Sequence, residues 1–148
     1  MGRDGRHIKQ LTESDWEQLL HELQDAQTLD AFRELKGKAL LDAKFDTSSR
    51  DVKDIKCLFN AIQVNQIGAT SKSKILHLLS PELFVMWDEK IRKDHYQDTT
   101  EGYIEFLKTM RNCAEKIMRE TTKSVDEFVD EVYRKLPGED GEHRKTLA

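Results

Sequence analysis

Two cysteines and two prolines in 148 residues are too few for several kinds of protein. A disulfide-stapled scaffold needs more cysteine, and an iron–sulfur or structural zinc site needs about four closely spaced ligands. Cys57 and Cys113 stand far apart, on the apolar faces of two expected helices, and read as buried thiols in a reducing compartment. No stretch approaches the ~20 consecutive apolar residues of a membrane-spanning helix, and the N-terminus shows no signal peptide. Met1-Gly2 opens like a myristoylation signal, but Arg6 stands where Ser or Thr is required. The chain is therefore expected in the cytoplasm, with no membrane partner. It also lacks a Gly-rich phosphate loop, an HExxH pair and a Ser-centred nucleophile elbow. His7, His21, His77, His95 and His143 are scattered without metal-ligand spacing, so neither metal nor cofactor is expected. His77, inside an apolar helix, reads as a hydrogen-bonded core histidine.

A large excess of either charge is absent as well. Charged residues make up 35% of the chain against 37% apolar, and the formal net charge is -4, which argues against a surface coated in positive potential. The positive charge is concentrated locally. From Lys72 to Lys93, five cations (Lys72, Lys74, Lys90, Arg92, Lys93) face three anions (Glu82, Asp88, Glu89), so this window carries +2 and the remainder -6.

What is present is helical patterning, with no run alternating at period two and no internal repeat. Thr12 with Asp15 caps a first helix lined by Trp16, Leu19, Leu20 and Leu23. Thr28 caps a second, whose apolar face runs Leu29, Phe32, Leu35, Ala39 and Leu40, with Gly37 weakening it. Ser48 with Asp51 opens a third, faced by Val52, Ile55, Leu58, Phe59 and Ile62. Ser71 or Ser73 caps a short helix through Leu79. Ser80-Pro81-Glu82 reads as the start of another of two turns, and Asp88 caps one from Glu89 to Tyr96. Asp98 to Glu101 opens the longest helix, striped by Tyr103, Phe106, Leu107, Met110, Ala114, Ile117 and Met118. Ser124 with Glu127 boxes the last one, which Pro137-Gly138 ends. The expected fold is all-α: a single-domain orthogonal bundle over residues 11–137, of about seven or eight helices, between a flexible start (1–10) and a polar tail (138–148). Nine of the thirteen residues from Ile75 to Trp87 are apolar, so a buried central helical hairpin is expected there.

The order of parts around that hairpin carries the functional signal. A short element ends at Ile67-Gly68, a Ser/Lys-rich turn follows, then an apolar helix and an apolar segment closing on Asp88, with Ile91-Arg92 beyond. Over residues 64–93 this resembles the helix–hairpin–helix DNA glycosylases. The resemblance implies that Gly68 packs backbone amides on a DNA phosphate, that Lys72 takes the position of the nucleophilic lysine, and that Asp88 takes that of the aspartate assisting glycosidic cleavage. Ile91-Arg92 is similar to the hydrophobic-x-Arg that follows it. Val64-Asn65-Gln66 stands where the family has its first hairpin glycine, and Lys72-Ser73-Lys74 where it has Lys-Thr-Ala.

Such chemistry needs a pocket for a flipped base, a cation track for the backbone and a carboxylate for positive charge developing on the sugar. Asp88 is the candidate carboxylate and Trp87 or Tyr96 the stacking surface. Gly68, Ser71, Ser73, Lys72, Lys74, Lys90, Arg92 and Lys93 are the candidate phosphate contacts. Each has an ordinary structural reading beside it: Asp88 as a helix cap, Trp87 as core, the lysines as a solvated face. Two function classes follow, a nucleic-acid-binding glycosylase-like domain acting on DNA and a non-enzymatic helical module for protein or small-ligand contacts. Oligomeric state is not encoded in any of these signals.

Overall fold

A computed structural model describes residues 11–64 and 67–135. Among these the chain is all-α, with seven helices and no strand: α1 (Glu13–Leu23), α2 (Ala26–Leu35), α3 (Arg50–Ala61), α4 (Ala69–Leu79), α5 (Glu89–His95), α6 (Thr100–Thr121) and α7 (Val125–Lys135). The expected flexible start, the polar tail, the Pro137-Gly138 stop and the Asn65-Gln66 part of the hairpin turn lie outside the described residues. The chain divides into two compact units, Met1–Arg111 and Asn112–Ala148, with α6 running through the division.

Helix boundaries follow capping chemistry. Thr12 and Asp15 form the expected capping box, with Asp15 N donating to Thr12 Oγ1 at 3.2 Å and Thr12 N to Asp15 Oδ2 at 2.8 Å. Asp25, rather than Thr28, caps α2, because its carboxylate accepts from the amides of both Gln27 and Thr28; Thr28 is then a buried first-turn residue. The same helix stops at Leu35, since Gly37 takes φ +75° just beyond the end, so Ala39 and Leu40 lie in a following turn. Ser49, rather than Ser48, caps α3. Asp51 turns inward, where burial opposes its charge but hydrogen bonds from Lys38 and Lys44 N outweigh that and hold its acidity below the usual carboxylate range. The α3 face of Val52, Ile55, Leu58, Phe59 and Ile62 is buried as the periodicity predicts.

The centre of the first unit differs from the expected helical hairpin. α4 is followed by one turn at Ser80–Leu83 and then by a non-helical segment through Asp88. Leu83, Phe84 and Trp87 in that segment are fully buried, as is Leu76 before it. The backbone is bonded sideways instead of along a helix. Tyr103 Oη donates to Val85 O at 3.0 Å, Trp87 N donates to Ser73 Oγ at 2.9 Å, His77 Nδ1–H donates to Phe84 O at 2.6 Å, and Leu40 N donates to Glu82 O at 2.9 Å. Three side chains thus replace the i→i−4 ladder, which is how buried backbone groups stay satisfied outside regular structure. His77 is the hydrogen-bonded histidine expected, half-buried. Burial of the stretch is incomplete: Leu78 is 83%, Met86 50% and Leu79 42% exposed.

Because Ser73 Oγ is the sole side-chain partner shown for Trp87 N, Ser73→Ala should leave a buried amide unpaired and cost about 1–3 kcal/mol in chemical denaturation. Leu79→Ala, at a half-open site, should cost less than about 1 kcal/mol, well below the usual core penalty.

In the second unit α7 opens on the expected capping box, with Ser124 N donating to Glu127 Oε2 at 2.8 Å and Glu127 N to Ser124 Oγ at 3.2 Å. Lys123 pairs with Glu131. Cys113, on the α6 part of this unit, is exposed rather than buried.

Candidate functional site

Three other elements gather at the C-terminal end of α3. The Lys72 ammonium, one turn into α4, lies 5.3 Å from the centroid of the Phe59 ring. That ring stacks at 4.9 Å on Tyr103 of α6. Thr100, at the start of α6, donates from Oγ1 to Asn60 Oδ1 at 2.5 Å, and Gln63 N donates to Glu22 Oε2 of α1 at 3.0 Å. Asp98, two residues before Thr100, pairs with Arg92 at 3.0 Å.

Lys72 is the unusual member. Its side chain is half-buried, and among the described residues it makes no hydrogen bond and no ion pair. Burial pushes its pKa below the ordinary lysine value, while the charges of Glu22 and Asp98 pull it partly back. The ammonium is therefore held less firmly than an ordinary lysine's, with aromatic contact replacing part of the lost water.

The remaining residues singled out in the sequence fall into three groups. Gly68 is exposed and is the N-cap of α4, where no side chain caps the first amides; Ser71 and Ser73 lie inside that helix rather than capping it. Ser71, Lys74, Asp88, Lys90 and Lys93 are exposed, Lys93 being paired with Glu89 at 2.8 Å. Asp88 caps α5, one oxygen accepting from Lys90 N at 2.7 Å.

Ser73 and Trp87 belong to the interior. Ser73 Oγ donates to Thr70 O at 2.7 Å and accepts from Trp87 N, so both its uses are taken. Trp87 has no exposed surface and packs against Tyr96, Tyr103 and Phe106 with centroids 5.9, 5.5 and 5.9 Å away. It offers no face to a base.

Phe59, Glu22, Asp98 and the pairing of Arg92 to Asp98 were not legible in the sequence. Phe59 reads there as core, which it also is, and Asp98 as one of several capping residues. An open groove of about 400 Å³ lined by Lys53, Lys56, Cys57, Asn60 and Gln63 among others lies along α2 and α3 and shares Asn60 and Gln63 with this region. Cys57 in it is half-buried, and burial raises its pKa, so it is not an activated thiol. Among the described residues no group of three His, Cys, Asp or Glu side chains could hold a metal, and no helix is long and apolar enough to cross a membrane. No protein-family model, no curated protein and no solved structure matches the chain.

Proposed function

We propose that the chain is a nucleic-acid-binding helical domain that works as the helix–hairpin–helix DNA glycosylases do, with Lys72 as the amine nucleophile. The observation that supports this reading is the state of Lys72: drawn half out of water, unpaired, and shifted toward the neutral form. A lysine that only solvates a surface is kept in water, as Lys74 and Lys90 are. The neutral amine attacks sugar C1′ as the bond from C1′ to the base breaks, and one proton of the amine passes to the departing base. The second nitrogen proton then passes to O4′ as the C1′–O4′ bond opens, leaving a C=N imine. Asp88, exposed and with one oxygen committed to its cap, is the carboxylate for positive charge developing on the sugar. Lys74, Lys90 and Lys93 supply the exposed phosphate contacts, and half-buried Tyr96 takes the stacking role that Trp87 cannot.

Fluorescence anisotropy with single- and double-stranded DNA at two salt concentrations tests the binding. The expected result is affinity that falls linearly in log–log form with salt, as released counterions require, with Lys90→Ala reducing the slope by about 1. Absence of binding at low salt would remove this reading. Asp88→Asn should leave stability unchanged, because Asn caps as well as Asp, while lowering base release. A stable variant with undiminished release would reduce Asp88 to a helix cap.

The alternative, a non-enzymatic interaction module, is supported by one feature. Val125, Val129 and Val132 form a stripe on α7 and are 40–50% exposed.

A further inference from the structure

The last helix leaves one face uncovered. Val125, Val129 and Val132 of α7 follow the four- and three-residue spacing that lines up along one side of a helix, and they are 50%, 41% and 40% exposed. An apolar stripe left in water is stabilised by whatever covers it. Its border decides what can. Asp126 and Asp130 each follow a stripe valine, so they lie about 100° round the helix, along one edge of the stripe. Both are exposed. Asp126 makes no hydrogen bond or ion pair among the described residues, and Asp130 pairs with Arg134 only at 3.7 Å, through side chains 73% and 70% exposed. Glu127 and Glu131 are instead taken up within the unit, by Ser124 N and by Lys123.

DNA and an anionic lipid surface carry the same sign as that acidic edge and are repelled by it. A second copy meets the same conflict in either orientation. An antiparallel pair about a two-fold axis brings the Asp126–Asp130 edge of each copy onto that of the other. A parallel pair sets two first turns side by side, each carrying Asp126 and Glu127. A cationic amphipathic helix avoids both: its apolar side covers the valines while a lysine or arginine edge meets the aspartates.

We propose that α7 is the docking face for a basic amphipathic helix of a partner protein. Val125, Val129 and Val132 form its apolar floor, and Asp126 and Asp130 its charged rim. Such docking rests on the interaction reading of α7, supplies its partner chemistry and does not involve Lys72.

The test uses the full-length protein and a synthetic helix with leucines at i, i+3, i+4 and i+7 and lysines along its flanks. Binding is read by fluorescence anisotropy and by the methyl NMR signals of the three valines. The lysine helix should shift those signals, and the same helix with glutamate for lysine should not. Asp126→Asn and Asp130→Asn should each weaken binding about two- to fivefold, as loss of one exposed ion pair does, and added salt should weaken it too. Val129→Ser should weaken it about fivefold or more, since it strips apolar contact from the middle of the stripe. Serine and valine are close in helix propensity, so α7 persists in that variant. Binding unchanged by Val129→Ser, or a glutamate helix that binds as well, would overturn the docking assignment. Sedimentation without peptide addresses the other occupant. A dimer broken by Val129→Ser would give the face to a second copy, overturning the basic partner and keeping the interaction reading. Binding by neither helix, with no dimer, would remove both.

Discussion

Trp87→Ala should be the most damaging single truncation in the chain, at about 3–5 kcal/mol. Its indole has no exposed surface and touches three other rings, so its removal empties a large volume that fixed aromatic neighbours cannot refill. Aromatic pairing adds about 0.5–1.5 kcal/mol per pair beyond area. The position also has a second duty, since its amide holds the non-helical segment to Ser73. Trp87→Phe keeps that backbone tie and most of the ring volume and should cost clearly less. Chemical denaturation of the two variants separates the contributions. A loss below about 1 kcal/mol for Trp87→Ala would mean the segment from Ser80 to Asp88 is not the structural centre.

Gly102→Ala is the second. A Cβ built there would lie 2.0 Å from Gln97 O, a backbone atom that cannot swing aside. Either α6 shifts or the Tyr96–Thr99 connection does, and that connection carries Asp98 and the Thr99 side chain that accepts from Gly102 N at 3.0 Å. Overpacking of this kind costs about 1–3 kcal/mol, and the backbone contact places this case at the upper end. Thermal unfolding should show it as a lowered midpoint. A fully stable Gly102→Ala protein would mean that the start of α6 is not packed as described.

The helices were readable in the sequence because each signal for them is local. Thr12 with Asp15 and Ser124 with Glu127 are reciprocal pairs three residues apart, and the buried α3 face repeats at helical spacing. Where several polar residues adjoin, the choice among them is tertiary. Asp25 outcompetes Thr28, and Ser49 takes the cap from Ser48 while Asp51 is drawn inward by Lys38. The Ser80-Pro81-Glu82 start failed for the same reason. His77, Tyr103 and Ser73 are 7, 18 and 14 residues from their backbone partners, and no periodic pattern encodes them. The candidate site divides along the same line. Lys72 was nominated from its place beside Gly68, but the acids facing it lie on α1 and before α6 and converge only in the fold.

The most direct test of the account is borohydride trapping on a duplex carrying an abasic site or a damaged base. The amine nucleophile forms an imine with the sugar, and hydride reduction of its C=N bond fixes protein to DNA as a band of higher mass. Wild type should trap, Lys72→Ala should not, and Asp88→Asn should trap less. Trapping should rise with pH to a half-point below that of a free lysine, since burial of Lys72 favours the neutral amine over the ammonium. Trapping of the Lys72→Ala protein at the wild-type level, or no trapping by wild type on any such duplex, would contradict the assignment of Lys72 as the nucleophile.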